Sequence, residues 1–150
     1  MKVYQPKVEI TLIKVVQRDR KRTKVATGPQ SVIDLTPMLS EGSVVRFSRG
    51  VSQPAGVFSV DFPDRAMAQS GDSLYSMIEP MDMIEIRMAR EPHLYATLPV
   101  VFRGFVSSIK RSQKIGGDGK PLRRVAVSGR DWGGLMQAIQ VFYKKDYAVG

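Results

Sequence analysis

Cysteine is absent from these 150 residues, so neither a disulfide nor a thiolate metal site can hold the chain together. Stability must come from a packed core or from association with other chains. Asparagine is absent too, and histidine and tryptophan each occur once, as His93 and Trp132. A lone imidazole leaves little material for proton transfer near neutral pH or for a histidine-built metal site. No apolar run approaches the ~20 residues needed to span a bilayer, so no membrane insertion is expected. The opening Met1-Lys2-Val3-Tyr4-Gln5-Pro6 offers no apolar stretch of signal-peptide length, and a cytoplasmic product is expected.

Acid is scarce relative to base. Fourteen acidic residues stand against 23 lysines and arginines, for a net charge of +9 and a pI near 10.0. Such a balance favours acidic partners, whether nucleic acid, an anionic membrane or an acidic protein face. Much of the charge is concentrated in Lys14, Arg18, Arg20, Lys21, Arg22 and Lys24, with Asp19 the one acid among them. Without interleaved aromatics, this run reads as the solvated tip of a long connection that Gly28-Pro29 ends. It is also the segment chosen here as a contact for an acidic neighbour.

What the chain does contain is strand patterning. Val8, Ile10 and Leu12 alternate with Glu9 and Thr11, the period of a strand with one buried face. Val44 to Phe47 and Gly56 to Phe62 predict two more strands, the second placing Phe58, Val60 and Phe62 on one side. Asp72 to Ile78 predicts two helical turns capped by Asp72 and stopped before Pro80. Ile84, Ile86 and Met88 restore alternation. Val100 to Ile109 and Leu122 to Ser128 read as a hairpin across the glycine-rich Ile115 to Pro121. Asp131 then caps a helix on which Trp132, Leu135, Met136 and Ile139 recur at helical spacing, so Trp132 is expected in the core. The expectation is one mainly β domain over residues 1–150: a single small β-barrel or sandwich with strands within about 8–128 and a flanking C-terminal helix over about 131–142.

Three motifs hint at chemistry and each is incomplete. Gly71-Asp72-Ser73-Leu74 spells the nucleophile block of GDSL-type hydrolases, whose machinery also needs an asparagine and an aspartate three residues before the histidine. This chain has no asparagine, and Arg90 stands three residues before His93. Gly116-Gly117-Asp118-Gly119-Lys120-Pro121 imitates a phosphate loop, but the Walker pattern wants glycine where Lys114 stands and serine or threonine at Pro121. It reads as a hairpin tip. The eight methionines, including Met77, Met81, Met83 and Met88, read as adaptable core filling rather than a soft-metal face. No catalytic, cofactor-binding or metal residue is therefore assigned, no cofactor is expected, and the chain is not expected to be an enzyme.

Three ordered segments carry a family likeness: Pro80-Met81-Asp82-Met83-Ile84-Glu85-Ile86, Val101-Phe102-Arg103-Gly104-Phe105-Val106 and Val125-Ala126-Val127-Ser128-Gly129-Arg130-Asp131. With Val57 to Phe62 as an early strand, they resemble the baseplate hub proteins of bacteriophage tails, the late-control-protein-D-like group related to the base of the type VI secretion spike. The likeness runs from about Val8 to about Leu135. It implies a tail-tube-type β-barrel, with Gly104 where a strand bends, whose copies form a trimeric or hexameric homo-oligomer ring around a channel. The partners it implies are tube and spike proteins, with DNA or a tape-measure protein passing through, in a virion tail assembled in the host cytoplasm. Family hubs are longer and usually supply two barrels per chain, whereas 150 residues hold one. A piece of a longer hub, six copies in place of three, and a ring completed by a second protein all stay open. The alternative, from the charge alone, is a small basic β-barrel module that binds nucleic acid through the Lys14 to Lys24 run.

Overall fold

The structure, a computed structural model, describes residues 5–19, 22–25, 32–40, 42–65 and 73–139. The alternating segments become strands β1 (Lys7–Ile13), β2 (Val16–Asp19), β3 (Arg22–Val25), β4 (Val32–Asp34), β5 (Val44–Ser48), β6 (Val57–Pro63), β7 (Met83–Ala89), β8 (Val100–Ile115) and β9 (Pro121–Arg130). Two short helices join them, α1 (Leu74–Met77) and α2 (Trp132–Ala138). Seven strands form one antiparallel sheet in the order β4-β1-β7-β8-β9-β6-β5, so the mainly β expectation holds.

Register shows why the apolar alternation is where it is. Ile10 and Leu12 of β1 sit opposite Ile86 and Ile84 of β7, and all four are fully enclosed. Phe58, Val60 and Phe62 of β6 share the buried side with Val127 and Val125 of β9. Side chains on a strand alternate between faces, so each such set commits one face to the interior. Burying an aliphatic or aromatic side chain of this kind contributes about 1.5–3 kcal/mol.

The sheet folds over at β8. Its first residues pair with β7 and, from Phe105 onward, it pairs with β9. Between Val106 and Ser108 the register against β9 slips by one residue. Such a bulge bends a strand and reverses which residues face inward beyond it. Phe102 and Val106 are buried before it, while beyond it Ile109 lies opposite buried Val127. Two glycines permit the corner. A Cβ on Gly129 would fall 1.8 Å from the Phe105 carbonyl oxygen, and one on Gly104 would fall 2.7 Å from that of Arg130. Gly104, expected at a bend, is in regular register with Ile84, two residues before the bulge.

Both halves of the folded sheet contribute to one apolar cluster, in which Phe102 packs on Phe47 and Phe58 with ring centroids 6.0 and 5.6 Å apart. Leu35, Met38, Leu74 and Ile78 from the connecting segments join it. The sheet is nevertheless open. β4 pairs only with β1 and β5 only with β6, so the sandwich alternative describes the architecture.

Several local expectations change. Part of the basic run is a two-stranded ribbon, β2 against β3, with Val16 opposite Val25 and Asp19 opposite Arg22. Arg20, Lys21 and Gly28-Pro29 lie outside the described residues, as does Asp72. The cap of α1 is Ser73, whose hydroxyl oxygen accepts the Ser76 N–H at 3.3 Å. The β8–β9 hairpin runs six residues further in β8 than Ile109, to Ile115. Methionine is only partly core filling, since Met38 is buried while Met81 and Met136 are exposed.

The largest correction concerns Trp132. Helix α2 starts where expected, with the Asp131 carboxylate accepting the Gly133 N–H at 2.9 Å. Trp132, however, is 51% exposed, and Met136 and Ile139 are exposed with it. The cause is the Gly133-Gly134 pair. A Cβ on Gly133 would come within 2.3 Å of the Pro54 carbonyl oxygen, and one on Gly134 within 2.4 Å of the Arg130 side chain. The glycine side of the helix therefore abuts the body of the protein, and the Trp132, Met136 and Ile139 side turns outward. The indole keeps one aromatic neighbour, Phe105, edge-on at 4.6 Å.

Candidate assembly surface

Of the six cations singled out from sequence, Arg20 and Lys21 lie outside the described residues. Lys14 points back into the protein, where its ammonium lies 2.6 Å from Asp82 Oδ2 and 3.2 Å from Glu79 Oε2 and donates to the Met77 carbonyl at 2.8 Å. Arg18, Arg22 and Lys24 belong to the β2–β3 ribbon. Lys14 is thus a structural tie between the end of β1 and the turn before β7, made there because Asp82 is itself almost fully buried.

A second basic ribbon was not recognised from sequence. Beyond the main sheet, β8 and β9 continue as a paired arm with Lys110, Lys114, Lys120 and Arg123 exposed. Its tip is a tight turn, in which the Gly116 N–H donates to the Lys120 carbonyl at 2.8 Å and Gly119 takes φ of 76°. The glycine-rich loop is accordingly a hairpin end. Two arginines fix the arm to the sheet, Arg111 through Asp64 at 2.7 Å and Arg124 through Asp61 at 3.2 Å. The signal that could have found it was cations on both flanks of the turn, which mark a ribbon too polar to bury.

The outward face of the sheet is polar and ordered by register. Arg46, Ser59, Ser128 and Ser108 lie side by side across β5, β6, β9 and β8. Across β7 and β8, Glu85 accepts hydrogen bonds from Arg87 at 2.7 Å and from Arg103 at 2.9 Å. Burial pushes the Glu85 carboxyl upward, but the hydrogen bonds and charges of Arg103 and Arg87 outweigh it and hold the group below its ordinary range.

Ser73 is engaged with Ser76 as a helix cap, and His93 lies in the 3-10 turn Pro92–Leu94. Among the described residues no group of three or more His, Asp or Glu is placed to hold a metal, and no helix is long and apolar enough to cross a membrane.

Two features face outward without cover among the described residues. The first is the pair of sheet edges, β4 and β5, of which the five-residue β5 is the longer. Each edge strand carries backbone donors and acceptors that no neighbouring strand satisfies. The second is a groove of about 330 Å³ lined by Met81, Phe105, Ser107, Arg130, Gly134 and Leu135. Met81 enters it from an unusual backbone position. The Asp82 N–H closes a turn onto the Glu79 carbonyl at 3.2 Å, with Pro80 second and Met81 third, and Met81 has φ of 74°. That is the pattern of a type II turn, whose third place normally falls to glycine. No protein-family model matches this chain, and comparison with curated proteins returns no match.

Proposed function

We propose that this chain is a structural, non-catalytic subunit of a phage tail baseplate hub or tail-tube-like ring, assembling with copies of itself and with tube and spike proteins around a central channel. The observation that carries the reading is the open seven-stranded sheet, whose edges at β4 and β5 have no further strand among the described residues. A neighbouring subunit can continue such a sheet, because main-chain groups at an edge pair with any strand of suitable register. The order of the three sequence segments resembling baseplate hubs supports it from an independent direction. The ring would sit in the virion, at the tail.

The experiment is light scattering at high concentration together with electron imaging, alone and with tube or spike proteins. Rings of three or six subunits with a central hole are the expected result. A strictly monomeric species under all these conditions would overturn the proposal.

One observation favours a second reading, a basic module that binds nucleic acid: the exposed cations of the β8–β9 arm. Against it, Phe58, Phe62 and Phe102 are enclosed in the core and cannot stack on bases. The two readings part on salt. Nucleic-acid binding through these cations would weaken linearly in log affinity against log salt, by roughly one unit of slope per phosphate contact.

A further inference from the structure

We infer that the groove between α2 and the corner of β8 is a docking site for a segment of another protein that combines apolar side chains with a carboxylate. The inference deepens the assembly reading by naming a second surface and the chemistry of what covers it.

Three observations meet at this groove. Its walls are apolar where Met81, Phe105 and Leu135 line it, and α2 also leaves Trp132, Met136 and Ile139 exposed, Trp132 against the groove residue Phe105. Contiguous apolar area left in water marks a place of contact. Met81 adds a second argument. A side chain that is 47% exposed gains little from burial, yet it occupies a left-handed backbone position that glycine would take without strain. Strain retained for an exposed methionine points to what the side chain does at the surface, and methionine is suited to moulding itself around an apolar partner.

Arg130 supplies the third, and it selects the occupant. Arg49, Arg111 and Arg124 each hold a carboxylate, of Asp131, Asp64 and Asp61 in turn, and Arg87 and Arg103 share that of Glu85. Arg130 lines the groove and holds no carboxylate among the described residues. A guanidinium beside an apolar trough favours an incoming carboxylate, to which it can form paired hydrogen bonds. A second copy of this chain seated groove to groove is the less suitable occupant, because it would bring Arg130 against the same cation of its partner.

The chain's one tryptophan, Trp132, packs edge-on against Phe105, a wall of the groove, so its emission reports occupancy through that contact. The probe is a short synthetic peptide of leucine and isoleucine with glutamate at intervals, set against the same peptide with lysine in place of glutamate. The acidic peptide is expected to shift Trp132 emission to the blue and the lysine peptide to leave it unchanged. Arg130→Gln should weaken the acidic peptide about tenfold, the scale of one charge-assisted contact. Met81→Gly should weaken it about fivefold while raising the melting temperature, a combination that a purely structural methionine would not give. Equal binding of both peptides, no shift with either, or a blue shift that appears with protein concentration alone would overturn the inference. Ring formation is read separately by electron imaging, so failure here leaves the edge-pairing proposal standing or falling on its own result.

Discussion

Lys14 and Asp82 are 68 residues apart in sequence, and their ammonium and carboxylate oxygen are 2.6 Å apart in the fold. Asp82 is the hub of that contact. Its Oδ2 also accepts the Glu79 N–H at 2.9 Å and its Oδ1 the Val15 N–H at 3.3 Å. One buried carboxylate thus fixes the exit of β1 against the turn that feeds β7, the same turn that presents Met81.

Removing that carboxylate leaves the largely buried Lys14 ammonium with Glu79 alone as its charge partner. Asp82→Ala is expected to cost about 3–5 kcal/mol, the range found when one member of a buried pair is deleted. Lys14→Met should cost less, because Asp82 keeps its two backbone donors. Urea unfolding of both variants checks this, and equal losses would show that the ion pair dominates and that the two backbone bonds to Asp82 add nothing.

Glu85 gives the protein a dependence on acid. Its carboxyl is held below its ordinary value of 4.5, so the folded state binds that proton more weakly than the unfolded chain does. The associated stability is fully present above the unfolded value and is lost as pH falls through the lowered one. Wild type should therefore lose its advantage over Glu85→Gln as pH drops below 4.5, measured as the separation of their urea midpoints. A separation that stays constant down the acid range would refute the assignment.

Trp132 and Phe102 should behave differently on truncation despite similar size. Phe102→Ala empties a site that is 2% exposed and should cost about 3–5 kcal/mol. Trp132→Ala removes a half-exposed ring and should cost about 1–2 kcal/mol, mainly its edge-on contact with Phe105. Chemical denaturation of the two variants provides the comparison.

On the proposed assembly reading, the β2–β3 ribbon acts in docking rather than in holding the fold. Replacing Arg18, Arg20 and Arg22 together with glutamine should weaken docking of adjacent rings and flatten its salt dependence, with the melting temperature nearly unchanged. Retained ring docking beside a lost affinity for DNA or RNA would instead favour the nucleic-acid reading.

The sequence by itself determined the β class, because two-residue alternation at Ile10 and Leu12, at Phe58 to Phe62, and at Ile84 and Ile86 commits one face of each strand to an interior whatever the topology. It also determined the start of α2 at Asp131, since capping is a local matter of one side chain and the next N–H groups. Tertiary structure decided the rest. Apolar spacing defines a stripe on a helix but not the direction in which that stripe faces. For α2 the direction was set by close approach of Gly133 to Pro54 and of Gly134 to Arg130. Charge clustering likewise says nothing of which cation finds a buried acid, so Lys14 left the basic run only when folding brought Asp82 beside it. The candidate surfaces, an open sheet edge and the groove at Met81, arise from strand order and from one turn, and neither property is written in any single stretch of residues.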